Sequence, residues 1–217
     1  MCNRGPELLG SVLRLNRALL AFALVAAIGV ETAVGASGDS TAQRGPQEVK
    51  SQLPTEKQTT LGLYVTAREA YERWKAAPQK VTIIDVRTPE EFIFIGHADM
   101  AWNIPIAAQT YQWDADKKHF KMQPLPDFVS RVKKVAKTDD TLMVMCRSGG
   151  RSALAVNALG QAGFKNVYNI TDGMEGDAVN DPGSVFRGQR LVNGWKNSGL
   201  PWTYHIDPER MGLPPDR

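Results

Sequence analysis

The sequence predicts an α/β fold in which helices cover both faces of a central parallel sheet. Two predominantly apolar runs, 81–86 and 141–146, are typical of strands buried on both faces. A third short run, 166–170, follows an alanine- and leucine-rich segment that ends at Gly163 and has the composition of a helix. Buried strands that alternate with helices indicate a parallel sheet in a layered fold.

Capping boxes mark two further helix starts. In a capping box, the side chains of a threonine and of a glutamate three residues later each accept a hydrogen bond from the other residue's backbone N–H. Thr66 with Glu69 predicts a helix that runs to about residue 77. Thr88 with Glu91 predicts a short helix directly after the first buried strand. The alternation of strand and helix therefore begins near residue 60.

The first 36 residues have the layout of a secretory signal peptide. Arginines precede an apolar run at 18–30, and small residues follow it up to Ala36, after which cleavage is expected. The run is shorter than the about 20 residues that span a membrane, and an uncleaved N-terminal anchor is the alternative. We therefore expect a periplasmic or otherwise exported protein with no membrane contact after cleavage. A polar, flexible leader is predicted at 37–59.

The rest of the chain is predicted to form one domain at 60–204 and a C-terminal tail at 205–217. The chain has 26 Lys and Arg against 23 Asp and Glu and no arginine-rich tract, so nucleic acid is not an expected partner. The residues around His205 lack metal-ligand spacing, and no metal is expected. Two polar stretches, 109–126 and 176–194, are predicted to be surface loops.

The cysteine that ends the second buried strand is the candidate nucleophile. Cys2 would be removed with the signal peptide, so Cys146 would be the only thiol of the mature chain and has no disulfide partner there. A free cysteine is often simply a small buried apolar residue. The end of a parallel strand, however, is where ligands bind in open α/β sheets.

The residues after Cys146 favour a reactive thiol over a buried apolar one. The first N–H groups of the following helix lack partners within it, and two glycines let the backbone curl around an anion. Two arginines add fixed positive charge, and such surroundings stabilise a thiolate and attract a small anionic substrate. The predicted site has Cys146 as the catalytic residue and, as substrate-binding residues, Arg147, Ser148, Gly149, Gly150, Arg151 and Ser152.

The spacing within this loop narrows the chemistry. Cys146 and Arg151 are separated by the four residues "RSGG", whereas cysteine-dependent phosphatases use the wider C-x5-R loop that wraps a phosphate. The chain also lacks a second cysteine near Cys146. A phosphatase or an arsenate reductase is therefore disfavoured.

Over residues 60–204 the chain resembles a single rhodanese (sulfurtransferase) domain. Four segments carry the resemblance, in the family's order: "IIDVRTPEEFIFIGHADMAWNIP", "VMCRSGGRSALAVNALGQAGF", "GFKNVYNITDGM" and "GWKNSGLPW". The resemblance implies the three-layer rhodanese fold, with a central parallel sheet flanked by helices. It also implies a thiosulfate sulfurtransferase, an enzyme that needs no cofactor.

The mechanism implied by the resemblance proceeds through a persulfide on Cys146. The thiolate takes the outer sulfur of a small anionic donor such as thiosulfate, and a thiol, cyanide or a protein then accepts it. Backbone N–H groups from Arg147 to Arg151 would hold the persulfide, and the arginine side chains would orient the donor. The alternative is a sulfur-carrier or partner-binding module with little turnover, which the two long polar stretches suggest.

Five positions are interpreted further from the same comparison. Asp85 and Arg87 are expected to form a structural ion pair, and His97 to be packed or hydrogen-bonded rather than a catalytic base. Asp172 stands where the family often has glycine. Ser148 stands where many thiosulfate-specific members have lysine, so the physiological donor is left open.

Overall fold

The computed structural model describes residues 53–212, and its centre is a five-stranded parallel sheet. The four helices described are α1 (Ala67–Ala76), α2 (Pro89–Ile95), α3 (Phe128–Val135) and α4 (Gly150–Gln161). The strands described are β1 (Tyr64–Val65), β2 (Val81–Asp85), β3 (Trp102–Asn103), β4 (Ala107–Asp114), β5 (His119–Pro124), β6 (Thr141–Met145) and β7 (Asn166–Ile170). Within the parallel sheet the order is β1-β7-β6-β2-β3, so β6 lies at the centre.

Helices lie on both faces of this sheet, as predicted. On one face, α1 and α2 pack with Ile83 and Trp195 into an apolar core. On the other face, α3 and α4 pack with Ile84, and Cys146 belongs to this second core. Ile83 and Ile84 point to opposite cores because successive side chains of a strand alternate between its faces. The predicted three-layer α/β fold is confirmed.

Both predicted capping boxes are present. The side chains of Thr66 and Thr88 each accept a hydrogen bond from the backbone N–H of the glutamate three residues later. The carboxylates of Glu69 and Glu91 each accept a hydrogen bond from the backbone N–H of their threonine. Helix α4 begins differently, because the residue before it, Gly149, is in the left-handed conformation and has no capping side chain.

The first polar stretch is not the loop that was predicted. Strands β4 and β5 form an antiparallel hairpin, residues 107–124, in which Trp113 pairs with Phe120. Polar residues alternate with larger apolar or aromatic residues at 109–113 and 119–123, a pattern compatible with such a two-stranded ribbon. A ribbon of this kind does not need to pack one face against an apolar core. The second stretch, 176–194 (hereafter the insertion), contains no helix or strand, as predicted.

The domain is also longer at both ends than predicted. Thr55–Lys57, within the predicted leader, forms a 3-10 helix, and Lys57 is buried. In the predicted tail, the Gly212 N–H donates to the carbonyl oxygen of Asn103 at 2.6 Å. The predicted signal peptide, residues 1–36, lies outside the described residues. Within residues 53–212, no helix combines the length and the apolar character needed to cross a membrane.

Candidate active site

The end of β6 places Cys146 at the carboxyl edge of the sheet, as predicted. Cys146 is only 2% exposed and packs in the core between the sheet and α3 and α4. The Gly149 N–H donates a hydrogen bond to Cys146 Sγ at 3.2 Å. Because the loop leads directly into α4, the sulfur lies near a helix N-terminus, where negative charge is favoured.

Gly149 occupies a position that only glycine fits. Its φ of 100° is left-handed, and a Cβ at this residue would collide with the carbonyl oxygen of Thr171. Thr171 directly follows β7, the strand beside β6. The loop is therefore packed closely against the end of the neighbouring strand, and this packing directs the Gly149 N–H to the sulfur.

Ser152 and Asn169 fix the loop to the sheet. Ser152 is fully buried, and its Oγ donates to Asn169 Oδ1 at 2.6 Å while lying 3.5 Å from Cys146 Sγ. A serine hydroxyl has one hydrogen, so the short bond to Asn169 uses it. Asn169 Nδ2 donates to the carbonyl oxygens of Gly149 and Lys57. Ser152 therefore joins the loop to the end of β7 through Asn169.

The guanidinium of Arg151 is occupied by a carboxylate. Its Nη1 and Nη2 each donate to one oxygen of Glu91, both at 2.6 Å. Burial acts to raise the pKa of Glu91, but the hydrogen bond and charge of Arg151 outweigh it and hold that pKa below its usual value. Burial likewise acts to lower the pKa of Arg151, and the bond to Glu91 raises it above its usual value. Arg151 thus joins α4 to α2 through an ion pair.

The remaining loop residues are more open. Arg147 is exposed, and within residues 53–212 its side chain forms no ion pair. Ser148 and Gly150 are half-buried at the start of α4. The backbone of Arg147 is nevertheless fixed, since its carbonyl oxygen accepts the Glu175 N–H at 2.9 Å. Of the two arginines in the loop, Arg147 is therefore the one whose charge is unpaired within residues 53–212.

Asp85, Arg87 and His97 have the structural roles expected of them. Asp85 and Arg87 are both fully buried, and Arg87 donates from Nη2 to Asp85 Oδ2 at 2.7 Å. His97 stacks on Phe92 with ring centroids 3.7 Å apart. Burial lowers the pKa of His97, which keeps its ring neutral in this packing. Within residues 53–212, no cluster of His, Cys, Asp or Glu could hold a metal ion.

A sequence profile of the rhodanese-like domain matches residues 66–178, just over half of the chain. The chain belongs to the rhodanese-like domain family. One relative, the uncharacterised protein RP600 of Rickettsia prowazekii, is 31% identical over 122 residues, which cover 56% of this chain and 82% of that protein. Another relative, thiosulfate sulfurtransferase 16 (chloroplastic) of Arabidopsis thaliana, is 38% identical over 97 residues, which cover 45% of this chain and 73% of that protein.

Among solved structures, Rv0390 from M. tuberculosis is similar to this rhodanese-like protein with 25% identity and a TM-score of 0.49. The match covers 65% of this chain and 96% of that one.

Asp172 has a role that the family comparison did not predict. Its carboxylate accepts the Ala67 N–H at 2.7 Å and the Gly194 N–H at 3.1 Å. Burial raises the pKa of Asp172 above its usual value. The residue therefore ties the end of the insertion to the start of α1.

Three further residues near the site were missed because their contacts are distant in sequence. Asn169, a polar residue inside an apolar strand run, was the one with a local signal. Lys57 Nζ pairs with Asp177 at 2.7 Å and thus joins the N-terminal segment to the insertion. Arg190 donates from Nη1 to the Gly176 carbonyl oxygen at 2.5 Å. Nothing in the surrounding irregular sequence distinguishes Lys57 or Arg190 from other surface cations.

Proposed function

We propose that this protein is a sulfurtransferase that carries sulfur on Cys146. The sulfur comes from thiosulfate or a similar small anionic donor and passes to a thiol, cyanide or a protein acceptor. The observation that carries the proposal is the sulfur atom of Cys146 at the base of a glycine-curled loop, with the Gly149 N–H donated to it. Membership of the rhodanese-like family and the plant relative named as a sulfurtransferase support sulfur transfer in general.

The reaction has two displacement steps with no external oxidant or reductant. In the first, the Cys146 thiolate attacks the outer sulfur of thiosulfate, a sulfur–sulfur bond forms, and sulfite leaves with the electron pair of the old bond. In the second, the acceptor attacks the outer sulfur of the persulfide, and the Cys146 thiolate leaves. The Gly149 N–H and the N-terminus of α4 stabilise negative charge on sulfur in both steps.

The test is sulfite release from thiosulfate in the presence of cyanide, which follows complete turnover. We expect the wild-type protein to release sulfite and Cys146→Ser to release none, since an alkoxide is not available at neutral pH. Circular dichroism should show that both proteins are folded. Normal turnover by a folded Cys146→Ser protein would rule the proposal out.

A sulfur carrier that serves one protein partner is the second candidate. The observation that favours it is the hairpin, on which Tyr111 is 94%, Trp113 55% and Phe120 45% exposed. Exposed aromatic side chains in one place are typical of binding surfaces. The carrier predicts stoichiometric persulfide formation but slow release to cyanide and small thiols. Rapid turnover with these small acceptors would contradict it.

We also propose that the protein is exported, because of the apolar run and the small residues up to Ala36. Sequencing of the N-terminus of protein recovered from the periplasm should place the mature start directly after Ala36. An intact Met1 on the recovered protein would instead support an uncleaved anchor.

A further inference from the structure

The insertion is fixed to the loop that carries Cys146 through an unbroken series of hydrogen bonds. The carbonyl oxygen of Cys146 accepts the Met174 N–H at 2.8 Å, and that of Arg147 accepts the Gly176 N–H at 3.3 Å. The carbonyl oxygen of Gly176 in turn accepts Nη1 of Arg190. One residue, Gly176, therefore separates the guanidinium of Arg190 from the backbone of Arg147.

The position of Arg190 is fixed from its own backbone as well. Arg190 and Ala178 form an antiparallel bridge across the insertion, and the carbonyl oxygen of Arg190 accepts Nδ2 of Asn197. Its side chain is half-buried and forms no ion pair with any carboxylate of residues 53–212. The charge of Arg190 is thus held in place without being neutralised.

We propose that Arg190, together with Arg147, forms a two-arginine entrance to Cys146 that selects sulfur donors by charge. Dianions such as thiosulfate are favoured over monoanions such as thiosulfonates, which offer the same outer sulfur but carry one negative charge fewer. The proposal rests on the proposed sulfur transfer and assigns to Arg190 the role that Arg151 is unable to fill while it is paired with Glu91.

The electrostatics agree with this geometry. Burial lowers the pKa of Arg190, and the positive charge of Arg147 lowers it further, while Glu175, Asp177 and the ionised form of Cys146 act in the opposite direction. Each of these groups is therefore near enough to influence Arg190. Asp177 is already paired with Lys57, and the Glu175 carboxylate forms no ion pair within residues 53–212.

The open space beside Arg190 is large enough for a small ion and its water. A cleft of about 440 Å³ is lined by Arg190, Glu175, Leu191 and Lys196, among others. Lys196 adds positive charge to this cleft, but its ammonium is held by the carbonyl oxygen of Ile95 and lies over the ring of Trp202. Of these two cations, Arg190 is the one bonded to Gly176, whose N–H in turn bonds Arg147 of the active-site loop.

The first test measures charge selection at Cys146 without any sulfur transfer. The rates of alkylation by anionic iodoacetate and neutral iodoacetamide are compared, because both reagents displace iodide at the same sulfur. We expect Arg190→Gln to lower the iodoacetate-to-iodoacetamide rate ratio by about three- to tenfold, as expected for the loss of one partly screened charge. Arg190→Lys keeps the charge and should restore the ratio to within about twofold of the wild type.

Arg187 provides the matched control, because it lies in the same insertion and is exposed. Arg187→Gln should leave the ratio unchanged. A ratio that is unchanged in Arg190→Gln, or equally lowered in Arg187→Gln, overturns the proposal. Equal slowing of both reagents in Arg190→Gln also overturns it, since that result indicates a structural role.

The second test uses the donors themselves and follows the increase in protein mass when sulfur is transferred. For Arg190→Gln, kcat/KM should fall about tenfold more for thiosulfate than for methanethiosulfonate, mainly through KM. An equal fall for both donors overturns charge selection. If the wild-type protein gains no sulfur from either donor, the proposed function fails, and the alkylation ratio still decides whether Arg190 acts on anions at Cys146.

Discussion

The hairpin and the insertion are both long additions to the sheet, but only the insertion is bonded to the loop that carries Cys146. The hairpin's strands bond chiefly to each other, and its aromatic side chains are exposed. The insertion begins where the Gly176 N–H bonds Arg147 and ends where the Gly194 N–H bonds Asp172. This difference indicates that an added segment can affect the site when hydrogen bonds join its ends to the active-site loop. The insertion is expected to influence sulfur transfer, and the hairpin is not.

The largest effect is expected from removing the carboxylate that anchors the end of the insertion. Asp172→Ala leaves two buried backbone N–H groups, of Ala67 and Gly194, without their acceptor. We expect a loss of about 2–3 kcal/mol in the free energy of unfolding, measured by urea denaturation, together with slower sulfur transfer.

The matched control for that change lies in the hairpin. Asp114 also accepts a backbone N–H, that of Lys117, but this contact is exposed. Asp114→Ala should change the free energy of unfolding by less than about 0.5 kcal/mol. Similar losses for the two variants would contradict the distinction between the two segments.

The next effect separates the two arginines of the active-site loop. Arg151→Ala removes the partner of a largely buried carboxylate and should lower the free energy of unfolding by about 2 kcal/mol. Arg147→Ala should leave stability unchanged, because its side chain is exposed, and should lower kcat/KM for thiosulfate about tenfold. Denaturation and first-half-reaction rates are measured on both variants. Loss of stability in Arg147→Ala, with none in Arg151→Ala, would reverse the assignment.

The pairing of Glu91 with Arg151 also predicts a dependence on pH. The folded-state pKa of Glu91 lies below its usual value of 4.5, so its contribution to stability is complete above that value and is lost as the pH falls through the lowered pKa. The difference in unfolding free energy between wild type and Glu91→Gln should therefore be constant from pH 6 to 8, an interval above about 4.5, and shrink on acidification. A difference that grows on acidification would contradict the pairing.

The smallest effect is expected in the hairpin. Tyr111→Ala removes a side chain that is 94% exposed, so the free energy of unfolding should change by less than about 0.5 kcal/mol and sulfur transfer to cyanide should be unchanged. Slower transfer to cyanide would show that the hairpin contributes to the active site after all.

The parts of the fold that depend on neighbouring residues were predictable from the sequence. Thr66 with Glu69 and Thr88 with Glu91 form their capping boxes because both partners lie within one helical turn. Strand β6 and Gly149, three residues after Cys146, are also local features of the sequence. The sequence therefore predicted the strand that ends at Cys146 and the position of this cysteine at the carboxyl edge of the sheet.

The contacts that complete the site join residues far apart in the chain, and no local pattern marks them. Glu91 was predicted as a helix cap, yet the same carboxylate also holds Arg151, 60 residues away. Asn169 holds the backbone of Lys57, 112 residues away. These pairings depend on which strands are neighbours in the sheet. No local sequence pattern shows which strands are neighbours; the complete fold does. The insertion, without helix or strand periodicity, gave no signal for Arg190.

The most direct measurement is the intact mass of the protein before and after exposure to thiosulfate, without reductant. We expect the wild-type protein to gain the mass of one sulfur atom and to lose it again when cyanide is added. Cys146→Ser should gain nothing under the same conditions. A wild-type protein that gains no sulfur from thiosulfate or methanethiosulfonate, while Cys146 remains free and alkylatable, would contradict sulfur transfer by this residue.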